Sequence, residues 1–255
     1  MSSDIARSVL CSPDEKGAIA IRIGHSEKTL SDRIDVWPVK KHSQNRVTTM
    51  RLFLVRHGQT EANLSGVFCG MTDVELTETG INQARQVARY LSAVTFSQAI
   101  SSALRRARHT AEIILADHSL SATIDVQLNE MHFGAWEMRH HRDLQHEDAE
   151  AWVAWLADWQ QTSPTGGETF PTFAARIENV VQQLLIQESQ DNLLLVAHQG
   201  VLGLLLARLL TMPPAAMWRF HFEQGTYSVV EIQHGFTTLR TFNNRTGWQP
   251  PETRK

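Results

Sequence analysis

The sequence predicts an α/β fold: a mostly parallel central sheet with helices on both faces and a small helical lid insertion. Three observations predict it. Residues 51–55 and 193–197 are short apolar runs of the kind found in strands buried on both faces. Between them lie segments whose apolar residues recur at helical spacing. Strand-like and helix-like segments alternate along the chain, the pattern of a sheet covered on two sides.

The elements follow in order. After the strand at 51–55, Thr77 is placed to cap a helix over 78–91, with Ile81, Ala84, Val87, Ala88 and Leu91 on one face. Residues 99–101 read as a short strand feeding a helix over 104–115 that opens on basic residues. Two further helices are expected over 143–160 and 170–187, joined by the breaker TSPTGGE, and together they form the expected lid, about 143–187. The run 193–210 is 18 residues long and approaches the length of a membrane span. His198, Gln199 and Gly200 near its middle and Arg208 near its end are costly in hydrocarbon. It is read instead as a strand over 193–197, a polar turn over 198–200 and a buried helix over 201–210. A terminal strand pair is expected over 227–232 and 237–242, around Gly235.

Composition excludes whole classes of protein. The chain has 255 residues, 42% hydrophobic and 20% charged, enough for a sizeable core. Its net charge of −3 supplies no electrostatic footprint for nucleic acid or an anionic membrane. Two cysteines, Cys11 and Cys69, build neither a disulfide framework nor a four-cysteine zinc site, so a reducing, cytoplasmic setting is expected. Residues 1–49 carry eight basic and six acidic residues, against 16 and 21 in the remainder, and lack sustained apolar periodicity. They are read as a poorly ordered extension outside the native core, with 50–255 as the functional domain and Met50 as a candidate native start. Early acidic residues and broken apolar runs argue against a secretory signal there.

In such a sheet, ligands bind beyond the carboxyl ends of strands. His57 follows one strand within Arg56-His57-Gly58, and His198 follows another within His198-Gln199-Gly200. A histidine at a strand end is by itself commonly structural. Its company here raises the odds: Arg56 precedes the first, and Leu104-Arg105-Arg106 opens a helix after another strand. Arginine offers a planar fork that matches phosphate oxygens, and a helix start adds backbone N–H groups. Together these groups describe a site for a phosphoryl dianion.

The segment from Leu54 to Asn63, LVRHGQTEAN, resembles the signature of the histidine phosphatase (phosphoglycerate mutase-like) superfamily. Leu76-Thr77 with Gly80, Gln83 and Ala84 matches its LTxxGxxQA element, and the stretch from Ser102 to Ala111 its SxLxRAxxTA element. Leu128-Asn129-Glu130 followed by Phe133-Gly134-Ala135-Trp136-Glu137 matches the acidic element, and Val196-Ala197-His198 supplies the second histidine. Within the superfamily, NEMHFGAWEMRHHR, HQGVL and Met212-Pro213 followed by Met217-Trp218 look like the α-ribazole phosphatase branch. Ala62, Glu75 and Gln199 depart from residues common elsewhere in the superfamily, and none of the three removes a charged group.

The resemblance implies hydrolysis of α-ribazole 5′-phosphate, or the corresponding cobalamin phosphate, in cobalamin assembly. It implies His57 as the nucleophile that forms phosphohistidine and Glu130 as proton donor and acceptor. Arg56, Asn63, Arg106, His198 and Gln199 would bind substrate, with no metal and no cofactor because arginines supply the positive charge. The implied partner is a small-molecule phosphate ester. The alternatives are a phosphoglycerate mutase or broad-specificity phosphatase, and a non-catalytic phosphate-binding protein.

Nearby residues receive plainer readings. Arg105 and Arg108 are read as solvated charges, and Glu137 and Glu168 as surface salt-bridge partners, with the orientation of site groups as the alternative. His140, His141 and His146 lack the acidic company of a metal site. Trp152, Trp155 and Trp159 form one helical stripe, read as core or lid packing, although Met131, Trp136 and Met138 could border the base of a substrate. Cys69 is read as inert.

Overall fold

A computed structural model describes residues 49–186 and 191–249. The extension expected over residues 1–49, including Cys11, lies outside the described residues except for Thr49. The elements run β1 (Met50–Arg56), α1 (Glu61–Ser65), α2 (Glu78–Leu91), β2 (Gln98–Ser101), α3 (Arg105–Ile114), β3 (Thr123–Ile124), α4 (His141–Glu147), α5 (Ala149–Ala157), α6 (Phe170–Ile186), β4 (Asn192–Ala197), α7 (Gln199–Leu209), β5 (Tyr227–Gln233) and β6 (Phe236–Asn244). One sheet takes the order β3-β2-β4-β1-β5-β6. The β3-β2, β2-β4 and β4-β1 pairs are parallel, and β5 joins β1 antiparallel before turning back into β6.

Alternation along each strand builds two cores, because successive side chains leave opposite faces of a sheet. On one face Leu52 and Leu54 of β1 and Leu193, Leu195 and Ala197 of β4 pack with α6 and α7. On the other, Phe53, Val55, Leu194 and Val196 pack with Val87 and Leu91 of α2 and Ala107, Ala111 and Ile114 of α3. Among the described residues no helix is long and apolar enough to cross a membrane.

Two expectations are corrected. The range 143–187 divides: α6 buries Phe170, Phe173, Ile177, Val180, Val181 and Leu184 in the sheet core, so it is a covering helix and not part of a lid. The expected helix over 143–160 breaks at Asp148, whose backbone leaves helical geometry (φ −140°, ψ 49°). Its carboxylate accepts hydrogen bonds from the Trp136 indole and the Thr165 hydroxyl, both 2.7 Å. The second correction concerns 198–200. No separate turn precedes α7, because His198 itself is the extended residue ahead of a helix that starts at Gln199.

The loop after β1 is fastened by the residues of the LTxxGxxQA element. Gln83 Oε1 accepts from the Gln59 backbone N–H at 2.8 Å, and Thr77 caps α2 by accepting from Gly80 N at 3.1 Å. A Cβ on Gly58 would lie 2.3 Å from the Gly80 carbonyl oxygen, so the two backbones meet at a distance that only glycine allows.

Candidate active site

Parallel register places the two histidines together. Arg56, the last residue of β1, pairs with Ala197, the last of β4, and the next backbone N–H, that of His57, donates to the Ala197 carbonyl at 3.0 Å. The residues that follow these strand ends are therefore neighbours, with imidazole centroids 5.0 Å apart. Both rings are buried.

Hydrogen bonding fixes the proton on each ring. His57 Nδ1 lies 2.8 Å from the Gly58 carbonyl oxygen. A carbonyl only accepts, so Nδ1 carries the hydrogen and Nε2 holds the lone pair. At His198 the proton lies on the other nitrogen. Asn129 Oδ1 accepts from the Ala103 backbone N–H and from the Ser102 hydroxyl, each at 2.9 Å, which commits the single proton of Ser102. Ser102 Oγ also accepts from Leu104 N at 3.2 Å, so His198 Nε2, 2.8 Å away, donates to it. His198 Nδ1 is then the outstanding atom, buried and without a partner.

The cations lie at the same edge. Arg56 donates through Nη1 to the Phe222 carbonyl at 3.0 Å, while its Nε is buried without a partner. Arg106, the second residue of α3, is buried, and its guanidinium donates to the carbonyls of Gly70 and Thr72 at 2.7 and 2.9 Å. Burial, then Arg106 and Arg56, hold the His57 imidazole well below its ordinary pKa. Burial and Arg106 do the same to His198, with His57 and Arg56 adding to the effect. Each ring is neutral near pH 7, the form in which His57 Nε2 can attack.

Glu130 is buried beside them. One carboxylate oxygen accepts from Met131 N and the other from Gly200 N in the first turn of α7, both at 3.0 Å. A Cβ on Gly200 would sit 2.7 Å from Glu130 Oε1, so any larger residue here would push the carboxylate from its place. The loop that carries Glu130 is clamped from behind. Arg176 on α6 donates to the carbonyls of Gln127, Asn129 and Glu130 and pairs in a fork with Glu168.

Not every expected binding residue has a free head group. Asn63 Oδ1 is occupied by Thr60 and Gln224, which leaves its amide N–H groups to the cavity that the residue lines. Gln199 also lines that cavity. Its amide donates to Phe220 O and accepts from Phe222 N, so it also holds the segment whose Phe222 carbonyl orients Arg56. Glu137 is not a surface salt-bridge partner. It accepts from the backbone N–H groups of Gly70, Met71, Thr72 and Phe133 and from the Thr72 hydroxyl. Burial alone would raise its pKa, and these bonds pull it below the usual carboxylate value. Glu137 and Arg106 thus hold the same 69–72 segment, one through its N–H groups and the other through its carbonyls. Glu168 does form a salt bridge, largely buried and turned to the Glu130 loop. Cys69 lines the cavity as a thiol that burial keeps protonated.

Sequence reasoning missed Ser102, Asn129 and Arg176. Ser102 and Asn129 lie inside the matched elements, directly before Ala103 and Glu130, and a buried polar pair at those places was the available signal. Arg176 carried none, since the groups it holds at the site are backbone carbonyls.

Residues 52–245 match the profile of the histidine phosphatase superfamily (branch 1). This chain belongs to the histidine phosphatase superfamily. Among its relatives in that superfamily, the adenosylcobalamin/alpha-ribazole phosphatase of Salmonella typhimurium is 50% identical over 201 residues, 79% of this chain and all of the relative. The protein of the same name from Escherichia coli is 48% identical, over 77% of this chain and 97% of the relative. The crystal structure of the alpha-ribazole phosphatase from Shigella flexneri superposes with a TM-score of 0.76 at 46% identity, covering 78% of this chain and 99% of that one. The fold observed here is therefore that of the superfamily.

Proposed function

We propose that this chain is a phosphomonoesterase that hydrolyses α-ribazole 5′-phosphate, or the corresponding cobalamin phosphate, through a phosphohistidine at His57. The observation that carries the chemistry is the pair of adjacent buried histidines with opposite proton placement. One offers a lone pair, and the other, like the Arg56 guanidinium, leaves a buried nitrogen without a partner. A buried polar atom without a partner costs about 1–3 kcal/mol; a phosphoryl oxygen would remove that cost by accepting from Arg56 Nε, and from His198 Nδ1 once the dianion draws a proton onto that nitrogen. The choice of ester rests on relatives 48–50% identical over nearly their whole length.

In the proposed reaction Glu130 enters as the carboxylic acid; His57 Nε2 attacks phosphorus as the ester P–O bond breaks, and Glu130 gives its proton to the departing alkoxide. Glu130 then takes a proton from water, whose oxygen attacks phosphohistidine, breaking the N–P bond and releasing phosphate. Charge on the transferred group spreads over its equatorial oxygens, so fixed cations supply much of the rate. Arg56 and Arg106 supply that charge. His198, protonated at Nδ1 when the dianion enters, donates to a phosphoryl oxygen, and the Asn63 amide adds a neutral donor.

The test is phosphate release from α-ribazole 5′-phosphate, 3-phosphoglycerate and an aryl phosphate, with EDTA present. Preference for the ribazole ester, lost in His57→Ala and inhibited by vanadate, supports the proposal. Conversion of 3-phosphoglycerate to its 2-isomer without net phosphate release would replace it with a mutase. Binding without turnover of any ester would leave a phosphate-binding protein.

A further inference from the structure

The cavity of about 230 Å³ that opens from His57 has two chemically different ends. Its polar end is made by Arg56, His57, Asn63 and Glu130. The remainder is lined mainly by aromatic rings and methionines, with Val67, Cys69, Gln199 and Gly200, and includes no charged side chain. Those rings fall into two separately braced sets. In the first, Phe68 packs on Phe133 and Trp155 with centroids 5.0 and 6.2 Å apart. In the second, Trp159 packs edge-on to Phe170 at 4.6 Å and to Trp218 at 5.6 Å. Among the described residues no ring of one set pairs with a ring of the other, although all of them line the same cavity.

Both sets line one space, so its walls away from His57 are largely aromatic. Trp218 is 56% exposed, an unusual position for the largest apolar side chain unless something covers it. A leaving group with a carboxylate would find no cation at this end. An uncharged flat ring system would find aromatic walls to pack against and would cover Trp218.

Building on the phosphatase reading above, we propose that the aromatic end of this cavity, with Trp155 and Trp218 in its walls, is a subsite for a flat, uncharged heteroaromatic group on the alkoxide side of the ester. Trp155 and Trp218 are then specificity-determining residues, and the stripe read as packing serves two purposes. Trp152 is core, buried against Trp136 and Leu144, whereas Trp155 and Trp159 face substrate.

The experiment compares kcat and KM for α-ribazole 5′-phosphate and for ribose 5-phosphate, which carries the same reacting ester without the base. It uses the full chain and its Trp218→Ala, Trp218→Phe and Trp155→Ala variants. The alanine variants should lose about tenfold or more in kcat/KM on the base-bearing ester, mostly through KM, the scale of a lost base–aromatic stack. Ribose 5-phosphate should change by less than about twofold, and Trp218→Phe should recover most of the loss. Equal losses on both esters, or none on either, would overturn the subsite while leaving the phosphatase reading intact. Should wild-type protein release nothing from the ribazole ester, that substrate falls, and the same comparison with 1-naphthyl phosphate decides the subsite. A preference over ribose 5-phosphate that depends on Trp218 upholds it, and an independent one refutes it.

Discussion

Two neutral histidines in the core make stability depend on pH in a calculable way. In the unfolded chain each imidazole titrates near its ordinary value of about 6.5. In the folded protein burial and the arginines hold both well below that value. As pH falls through 6.5 the unfolded state takes up protons that the native state refuses, so stability is full above the unfolded value and is lost below it. For a native pKa far below the working range, lowering pH from 7.5 to 5.5 costs about 1.4 kcal/mol per histidine, or about 2.7 kcal/mol for the pair. The assay is urea unfolding at those two pH values in phosphate-free buffer, because a bound anion would favour protonated His198. The reference is the His57→Gln/His198→Gln double variant, which removes both titrations. Wild type should lose about 2.7 kcal/mol more than the double variant over this interval. Parallel losses in the two proteins would refute the reasoning, for they would mean that neither ring is held neutral.

Three further outcomes are expected. Gly200→Ala places a methyl group 2.7 Å from Glu130 Oε1, and displacing that carboxylate should lower kcat about 100-fold with an unchanged circular dichroism spectrum; activity within twofold of wild type would contradict the placement of Glu130. Arg176→Met releases three carbonyls of the Glu130 loop, so kcat should fall while KM stays within about twofold, and a change confined to KM would show that the clamp serves binding instead. Ser102→Ala removes the acceptor for His198 Nε2 and should weaken competitive inhibition by vanadate more than it raises KM, since a transition-state mimic depends more strongly on the donor at Nδ1.

How far the sequence alone reaches follows from where each signal resides. β1 and β4 were legible because residues buried on both faces must be apolar, and His57 and His198 because they end those strands. The antiparallel direction of β5 was not legible as such, since pairing direction leaves no trace in a strand's own composition. Residues 170–186 looked like the second half of a lid because amphipathic spacing shows that a helix buries one face and not what covers it. The partner, here Leu193, Leu195 and α7, is supplied by the tertiary structure. Arg56, Arg106 and Glu130 could be assigned from charge at matched positions. The proton placement at His198 could not, because it depends on which way one serine hydroxyl points. Glu137 was misread for a similar reason: its donors are backbone N–H groups, which every sequence contains.

The central claim is that His57 carries the phosphoryl group between two half-reactions, with Glu130 moving the proton in each. The most direct measurement is a rapid alkaline quench during turnover of α-ribazole 5′-phosphate, followed by peptide mass spectrometry. The account predicts phosphate on His57 in wild type, a larger trapped fraction in Glu130→Gln and none in His57→Ala, which also releases no phosphate. Phosphate release by His57→Ala at the wild-type rate, or a phosphoryl group on any other residue, would contradict it.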